Sequence, residues 1–89
     1  MDFNVITYQG ILIFRINNGT NVDRYASKLG LTDNCNVRIE VTTSIIKYYV
    51  DNTFKISDSY NEGNSYVDII LNGGSVKYNN FQIYSLSSN

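Results

Sequence analysis

The residue types that most often carry catalysis or bind metals are scarce in this chain. Its 89 residues include no histidine, no tryptophan, no proline and a single cysteine, Cys35. Zinc, copper and iron sites therefore lack their usual ligands. Cys35 has no histidine to serve as its base, and its neighbours Asn34 and Asn36 carry no positive charge that would stabilise a thiolate. The sequence predicts no metal ion and no cysteine nucleophile.

Chemistry based on oxygen ligands or carboxyl groups has weak candidates as well. Asp58, Asn61 and Glu62 lie close together in the sequence, but they lack the alternating spacing of oxygen ligands in a calcium loop. Catalysis by paired carboxyls needs two acids in environments that separate their pKa values, and scattered acids in a small domain usually face water. We therefore expect a protein that is not an enzyme and that needs no cofactor.

Charge and hydropathy exclude further classes of partner. Seven basic and eight acidic residues give a net charge of −1, whereas a protein that neutralises many phosphates carries a basic excess. The longest apolar run, residues 11–14, is far shorter than the roughly 18 residues that cross a bilayer. The first residues show no signal-peptide pattern, and one cysteine forms no internal disulfide. We expect a cytoplasmic protein that binds neither nucleic acid nor membrane.

Tyrosine and asparagine are the residues in excess, with eight tyrosines and thirteen asparagines. Binding surfaces such as antibody paratopes combine rigid aromatic rings with small polar groups that form hydrogen bonds. We predict that the partner-binding residues are Tyr60, Asn61, Glu62 and Tyr66, in and after a long polar loop, with Tyr48 and Tyr49 as a second patch. In the alternative interpretation, tyrosine is simply common in strands. Some tyrosines must serve as core, and Tyr25 and Tyr78 are the predicted ones.

The elements that must position these residues are mostly strands, and two β-hairpins stand out. Each predicted turn lies between two runs rich in β-branched and aromatic residues: residues 3–8 and 11–16 around Gln9-Gly10, and residues 66–71 and 75–78 around Asn72-Gly73-Gly74. Glycine supplies the positive φ that a tight hairpin turn requires. After the second hairpin, the alternation changes phase at Asn79-Asn80, which predicts a β-bulge there.

A single short helix is predicted at about residues 22–29. Its apolar residues recur at helical spacing, Asn21 can cap its first turn, and Gly30 stands where a helix usually ends. A helix of two turns does not hold alone, so its apolar stripe must dock on the sheet.

The middle of the chain contains one clear strand and one ambiguous segment. Residues 37–42 alternate between apolar and polar side chains, which is typical of a half-buried strand. Residues 44–50 fit either a helix capped by Ser44 or a strand. Their β-branched and aromatic content favours the strand, paired through Asp51-Asn52 with residues 53–56.

These elements predict a strand-rich α+β fold in a single compact domain over residues 1–89. A hairpin and one short helix come first, followed by several mainly antiparallel strands. This order of elements resembles the opening of the β-grasp (ubiquitin-like) fold.

Three functional hypotheses follow from the composition. The first is a small intracellular binding protein that occludes a host protein, such as a defence protein, as the anti-CRISPR proteins do as a class. Residues with A/T-rich codons are abundant, which fits a gene of a low-GC bacterium, of one of its phages or of an archaeal virus, and we expect a phage or viral gene. The second is an oligomeric sponge for a nucleotide signal, with rings stacked on bases and Arg or Lys at phosphate. The third is a minor virion subunit. Edge strands in so small a sheet also make a homodimer an expectation.

Overall fold

The computed structural model describes residues 1–17, 21–42, 44–59 and 66–83. These residues form one antiparallel sheet of six strands: β1 Asp2–Asn17, β2 Asn21–Tyr25, β3 Cys35–Val41, β4 Ile45–Val50, β5 Thr53–Ser59 and β6 Tyr66–Gln82. A single 3₁₀ turn, Ala26–Leu29, follows β2. The strand-rich prediction is confirmed. The α+β class is wrong, because the described residues contain no α-helix.

Strand β1 is the centre of the sheet. One of its edges pairs with β6 along almost its whole length. Its other edge pairs with β3 near the amino-terminal end and with β2 near the carboxyl-terminal end. Strands β4 and β5 then extend the sheet beyond β3. The sheet curls into a half-barrel, which brings β5 round towards β2.

The two predicted glycine hairpins are wrong. Both glycine segments lie inside long strands, and they face each other in a bulge where the pairing of β1 with β6 passes from Gln9–Ser75 to Ile11–Asn72. Gly10 there has a φ of 98°. Tight turns and β-bulges both need glycine at positive φ, so the local pattern identified the backbone conformation correctly and the connection incorrectly.

The predicted helix over residues 22–29 is a strand followed by one 3₁₀ turn. Residues 21–25 pair with β1, because pairing along a central strand outweighs a helical pattern only two turns long. The predicted stop at Gly30 is confirmed by its left-handed φ of 70°. The chain therefore does not open with the hairpin and helix of the β-grasp fold.

The strand predictions in the middle of the chain are confirmed. Residues 37–42 fall almost entirely in β3, and residues 45–50 form β4. Asp51 and Asn52 make the two-residue turn into β5, with φ values of 51° and 63°. Two successive left-handed residues are the signature of the hairpin turn that matches the twist of a sheet.

The predicted bulge at Asn79-Asn80 is also confirmed. The register of β6 against β1 shifts between the pairs Asp2–Gln82 and Asn4–Asn79. Asn80 takes a left-handed φ of 53°, which asparagine tolerates better than most residues. The shift brings Phe81 over Phe3, with 5.2 Å between ring centroids.

The hydrophobic core lies on the concave side of the curl. The buried side chains come mainly from alternate positions of β1, β3 and β4, and from the segment after β2: Phe3, Val5, Leu12, Phe14, Ile16, Ala26, Leu29, Leu31, Cys35, Val37, Ile39, Ile46, Tyr48 and Val50. Each large apolar side chain buried in this way contributes about 1.5–3 kcal/mol relative to exposure.

The two tyrosines predicted as core residues are exposed instead. Tyr25 is 45% exposed, because in a strand it alternates with Arg24 and points away from the core. Tyr78 does face the core side, where its ring meets that of Phe3 at 6.1 Å. It is nevertheless 47% exposed, since β6 pairs on one edge only within the described residues.

Candidate binding site

The outer, convex face of the sheet carries a row of side chains that crosses five strands. The row consists of directly paired residues of β6, β1, β3, β4 and β5: Gln82, Asp2, Arg38, Tyr49 and Phe54. Directly opposed residues in an antiparallel pair share a face. The strand neighbours of these residues, such as Val37 and Val50, are buried on the concave side, so the row faces solvent.

Arg38, Tyr49 and Phe54 form an aromatic cluster at one end of this row. The Arg38 guanidinium carbon lies 4.2 Å from the centroid of the Tyr49 ring. The Phe54 ring meets the Tyr49 ring edge-on, with 5.7 Å between centroids and 68° between planes. Such contacts contribute about 0.5–1.5 kcal/mol each. They hold the rings in place while Phe54 stays 52% exposed.

Arg38 is anchored by its polar neighbours. Its Nη1 donates a hydrogen bond to Asn52 Oδ1 at 2.9 Å. Glu40 Oε2 lies 3.2 Å from Arg38 Nε, yet the N–H is not directed at it and has no acceptor among the described residues. A fixed arginine beside aromatic rings is a residue type that dominates the energetics of protein interfaces.

An amide hollow of about 390 Å³ lies beside the aromatic cluster on the same face. Its polar lining comes from Asn4, Asn34, Asn36, Asp51 and Asn79. Asn36 Nδ2 donates to Asn4 Oδ1 at 3.0 Å, and the Asn36 backbone N–H donates to Asp51 Oδ1 at 2.9 Å. Asn4, Asn36 and Asp51 are therefore held in place, and the amide and carboxylate groups of the lining can accept and donate hydrogen bonds to a partner.

The two tyrosines of the predicted second patch fall on opposite sides of the sheet. Tyr49 belongs to the aromatic cluster on the outer face. Tyr48 is fully buried in the core, so its assignment to a surface patch is wrong. Successive residues of a strand point to opposite faces, and a strand with one buried face must therefore hide one of two adjacent rings.

The predicted loop patch lies mostly outside the described residues. Tyr60, Asn61 and Glu62 are not among them, and Tyr66 is described only by its backbone, as the first residue of β6. Sequence reasoning missed Arg38 and Phe54. Phe54 could have been found, because a two-residue turn at Asp51-Asn52 sets Tyr49 opposite Phe54. Arg38 reaches Tyr49 through pairing of β3 with β4, which no local pattern reveals.

A charged pair joins the two ends of the curled sheet. Arg24 of β2 and Asp58 of β5 lie opposite the buried residues Phe14 and Ile46 and hence face inwards. Arg24 Nε donates to Asp58 Oδ2 at 2.7 Å, and Arg24 Nη2 donates to Asp58 Oδ1. These hydrogen bonds raise the pKa of Arg24 above its usual range. The pair ties β5, which carries Phe54, to the far end of the sheet.

The Tyr48 hydroxyl lies near this pair and is a buried polar group with no hydrogen-bond partner among the described residues. Burial, and secondly the negative charge of Asp58, raise the pKa of Tyr48 above its usual range. Leaving a buried hydroxyl unpaired costs about 1–3 kcal/mol. Removal of this hydroxyl should therefore increase the stability of the core.

We expect Tyr48→Phe to raise the free energy of unfolding by about 1 kcal/mol, because it removes an unpaired hydroxyl and keeps the ring. The matched control is Tyr8→Phe. Tyr8 donates a hydrogen bond to the Leu31 carbonyl oxygen at 2.9 Å, so its loss should lower stability by about 1 kcal/mol. Urea unfolding of the three proteins measures both changes. A loss of stability in Tyr48→Phe would show that the hydroxyl has a partner.

The difference in unfolding free energy between Tyr48→Phe and the wild type also depends on pH. Above about pH 10 the unfolded tyrosine loses its proton, whereas folded Tyr48 keeps it because its pKa is raised. The unfolded state then binds fewer protons, so this contribution lowers stability as pH rises, by at most about 1.4 kcal/mol per unit. The stability difference between Tyr48→Phe and wild type should accordingly widen above pH 10.

Cys35 is buried, with its Sγ 3.3 Å from Thr32 Oγ1. No group of three or more acidic or cysteine side chains is arranged to hold a metal ion within the described ranges. In the same ranges, no helix has the length and apolar character that crossing a membrane requires.

Comparisons of the chain with protein-family models, curated proteins and solved structures found no match.

Proposed function

We propose that this protein is a non-catalytic binding protein that occludes a partner protein with the outer face of its sheet. The observation that supports the proposal is the aromatic cluster. The half-exposed Phe54 ring packs edge-on against Tyr49, and the Arg38 cation lies over the Tyr49 ring. Aromatic residues and arginine are enriched in protein interfaces, and the most important contacts cluster on such residues. The amide hollow beside the cluster supplies hydrogen-bonding groups for the rim of the contact.

The shape and charge of this face favour a macromolecular partner over a nucleotide. Small-molecule sites enclose about 70–90% of their ligand, whereas the aromatic cluster lies on a convex face and the amide hollow beside it is open. A nucleotide phosphate would need a cation free to receive it. Arg38 is already engaged by Asn52 and lies against Glu40.

Fixed side chains also reduce the cost of binding. Ordering a mobile side chain at an interface costs about 0.5–1.5 kcal/mol, and the rings of the aromatic cluster are already ordered by one another. The partner class that we propose is a host protein in the cytoplasm, with the present chain as a phage or viral inhibitor of host defence. The support for that class is the amino-acid composition.

We expect Phe54→Ala to weaken partner binding by about tenfold or more, with a loss of about 1–2 kcal/mol in unfolding free energy, because the ring is half exposed but loses its contact with Tyr49. The tagged protein captures the partner from host lysate, and calorimetry with the purified partner gives the dissociation constants. Tyr25→Ala is the matched control, because Tyr25 has a similarly exposed ring on β2. Its dissociation constant should stay at the wild-type value.

Two results would contradict this proposal. In the first, Phe54→Ala and Tyr25→Ala weaken partner binding equally, which would move the interface off the aromatic cluster. In the second, no stoichiometric protein is captured and a nucleotide raises the melting temperature of the wild type. That result would favour the nucleotide sponge.

A further inference from the structure

Strand β6 has a long edge that no described residue covers. Its 17 residues pair with β1 alone in the described part of the chain, so the other edge presents unpaired backbone N–H and C=O groups. An edge of this kind is a template for pairing with another strand. Apolar side chains lie along it: Tyr78 and Phe81 are exposed, and Ile83, just beyond the strand, is 80% exposed.

Strand β6 contains two charged residues, Asp68 and Lys77, which lie on either side of the glycine bulge. Asp68 lies opposite Arg15, and Lys77 lies opposite Thr7. The residues of β6 that pack towards the core are at odd positions before the bulge and at even positions after it: Val67, Ile69, Leu71, Val76 and Tyr78. Asp68 and Lys77 therefore share the outer face although nine positions separate them.

We propose that β6 pairs with β6 of a second copy, antiparallel about a two-fold axis between Asn72 and Gly73. In this register Asp68 of each copy lies opposite Lys77 of the other, so the symmetric contact contains two pairs of opposite charge. Opposite charges that face each other across strands are stabilising, and like charges are destabilising. Closed two-fold pairing of this type is the commonest form of self-association.

The core-facing side of the same register is also matched. Val67 lies opposite Tyr78 of the second copy, and Ile69 lies opposite Val76, so the exposed Tyr78 ring gains an apolar neighbour. A slip of one residue sets core-facing side chains against outer ones, because the bulge shifts the phase by one. A slip of two residues keeps the faces but places neither charge opposite the other. Charge and phase thus select one register.

The test is the dimer dissociation constant, measured by sedimentation over a range of concentrations. The wild type should reach a dimer of two 10.1 kDa chains. Lys77→Asp places a carboxylate opposite Asp68 in both symmetric contacts and should weaken the dimer by about tenfold or more. Lys55→Asp makes the same charge change on β5 and should leave the dissociation constant unchanged. A monomeric wild type at every concentration would overturn the proposal.

Charge exchange makes the test specific for the register. Asp68→Lys alone should weaken the dimer as Lys77→Asp does. An equimolar mixture of the two variants should form a heterodimer, because every contact between unlike chains then joins opposite charges, and native mass spectrometry distinguishes it. If neither variant changes the dissociation constant and no heterodimer forms, the register is wrong. Should Asp68→Lys unfold beside Arg15, Lys77→Asp and Lys77→Ala decide the question, since Thr7 imposes no charge on that position.

Discussion

Gly10→Ala is expected to prevent folding or to lower the free energy of unfolding by more than about 3 kcal/mol. A Cβ at Gly10 would overlap the carbonyl oxygen of Gly73 on the facing strand. That oxygen belongs to the backbone of β6, which is paired with β1, so it cannot move away as a flexible side chain would. The φ of 98° at Gly10 is in addition outside the conformations that alanine adopts readily.

Gly73→Ala is the matched control for this prediction. Gly73 also has a positive φ, 69°, but a Cβ there meets nothing within 4 Å. Its replacement should therefore cost only about 1–2 kcal/mol, the usual penalty for a left-handed alanine. Urea unfolding followed by circular dichroism gives both values. Gly74→Ala should behave like Gly10→Ala, since its Cβ would overlap the Gln9 carbonyl oxygen.

The stabilities of Gly10→Ala and Gly73→Ala distinguish the observed pairing of β1 with β6 from the two hairpins that the sequence suggests. In a tight hairpin turn at Gln9-Gly10, the glycine would point into solvent, and alanine at either glycine would cost about the same. Equal losses of unfolding free energy in Gly10→Ala and Gly73→Ala would therefore contradict the pairing of β1 with β6.

The reach of sequence reasoning in this protein depends on how local each decision is. The β4–β5 hairpin was predictable, because Asp51-Asn52 lies between two alternating runs and the register follows from the turn. Gly10 and its facing glycines encode a positive φ, which a turn and a bulge satisfy equally well. The choice between them is made by pairing between residues about 60 positions apart, and no local pattern contains that information.

The candidate site shows the same limit. Its ring and polar surroundings predict a surface position for Tyr49, and the structure places it on the outer face. The same features predict a surface position for Tyr48, which is buried because the core of the whole sheet sets which residues of β4 point inwards. Arg38 completes the aromatic cluster only through pairing of β3 with β4. The composition could therefore suggest a binding surface but not choose its members.

The charged pair at the ends of the sheet explains how the curl is held, since no backbone ladder joins β2 to β5 among the described residues. Val22 and Ile56 occupy the inward positions next to Arg24 and Asp58 and pack against the core. Two opposite charges at inward positions would be costly if each stood alone. The curl satisfies both at once, which favours the closed arrangement over a flatter sheet that leaves them apart.

Asp58→Ala is expected to lower the free energy of unfolding by about 1–2 kcal/mol, because Asp58 is only 12% exposed and its loss leaves Arg24, which is 30% exposed, without its partner beside the buried Tyr48 ring. The matched control is Asp23→Ala. Asp23 makes the same two-point contact with Arg15, at 2.7 Å and 2.9 Å, but between adjacent strands and about one-third exposed. Its loss should cost less than about 1 kcal/mol.

A double substitution tests whether the unpaired charge of Arg24 causes the loss of stability in Asp58→Ala. Replacing both partners, Arg24→Met with Asp58→Leu, removes the unpaired charge and retains apolar volume at the ends of the sheet, and should recover most of the stability. Amide exchange of β5 should be faster in Asp58→Ala than in the double variant, since only the single variant leaves a charge that resists closure. If Asp58→Ala and Asp23→Ala lose equal stability, the curl is held by the core alone and the Arg24–Asp58 pair is an ordinary surface contact.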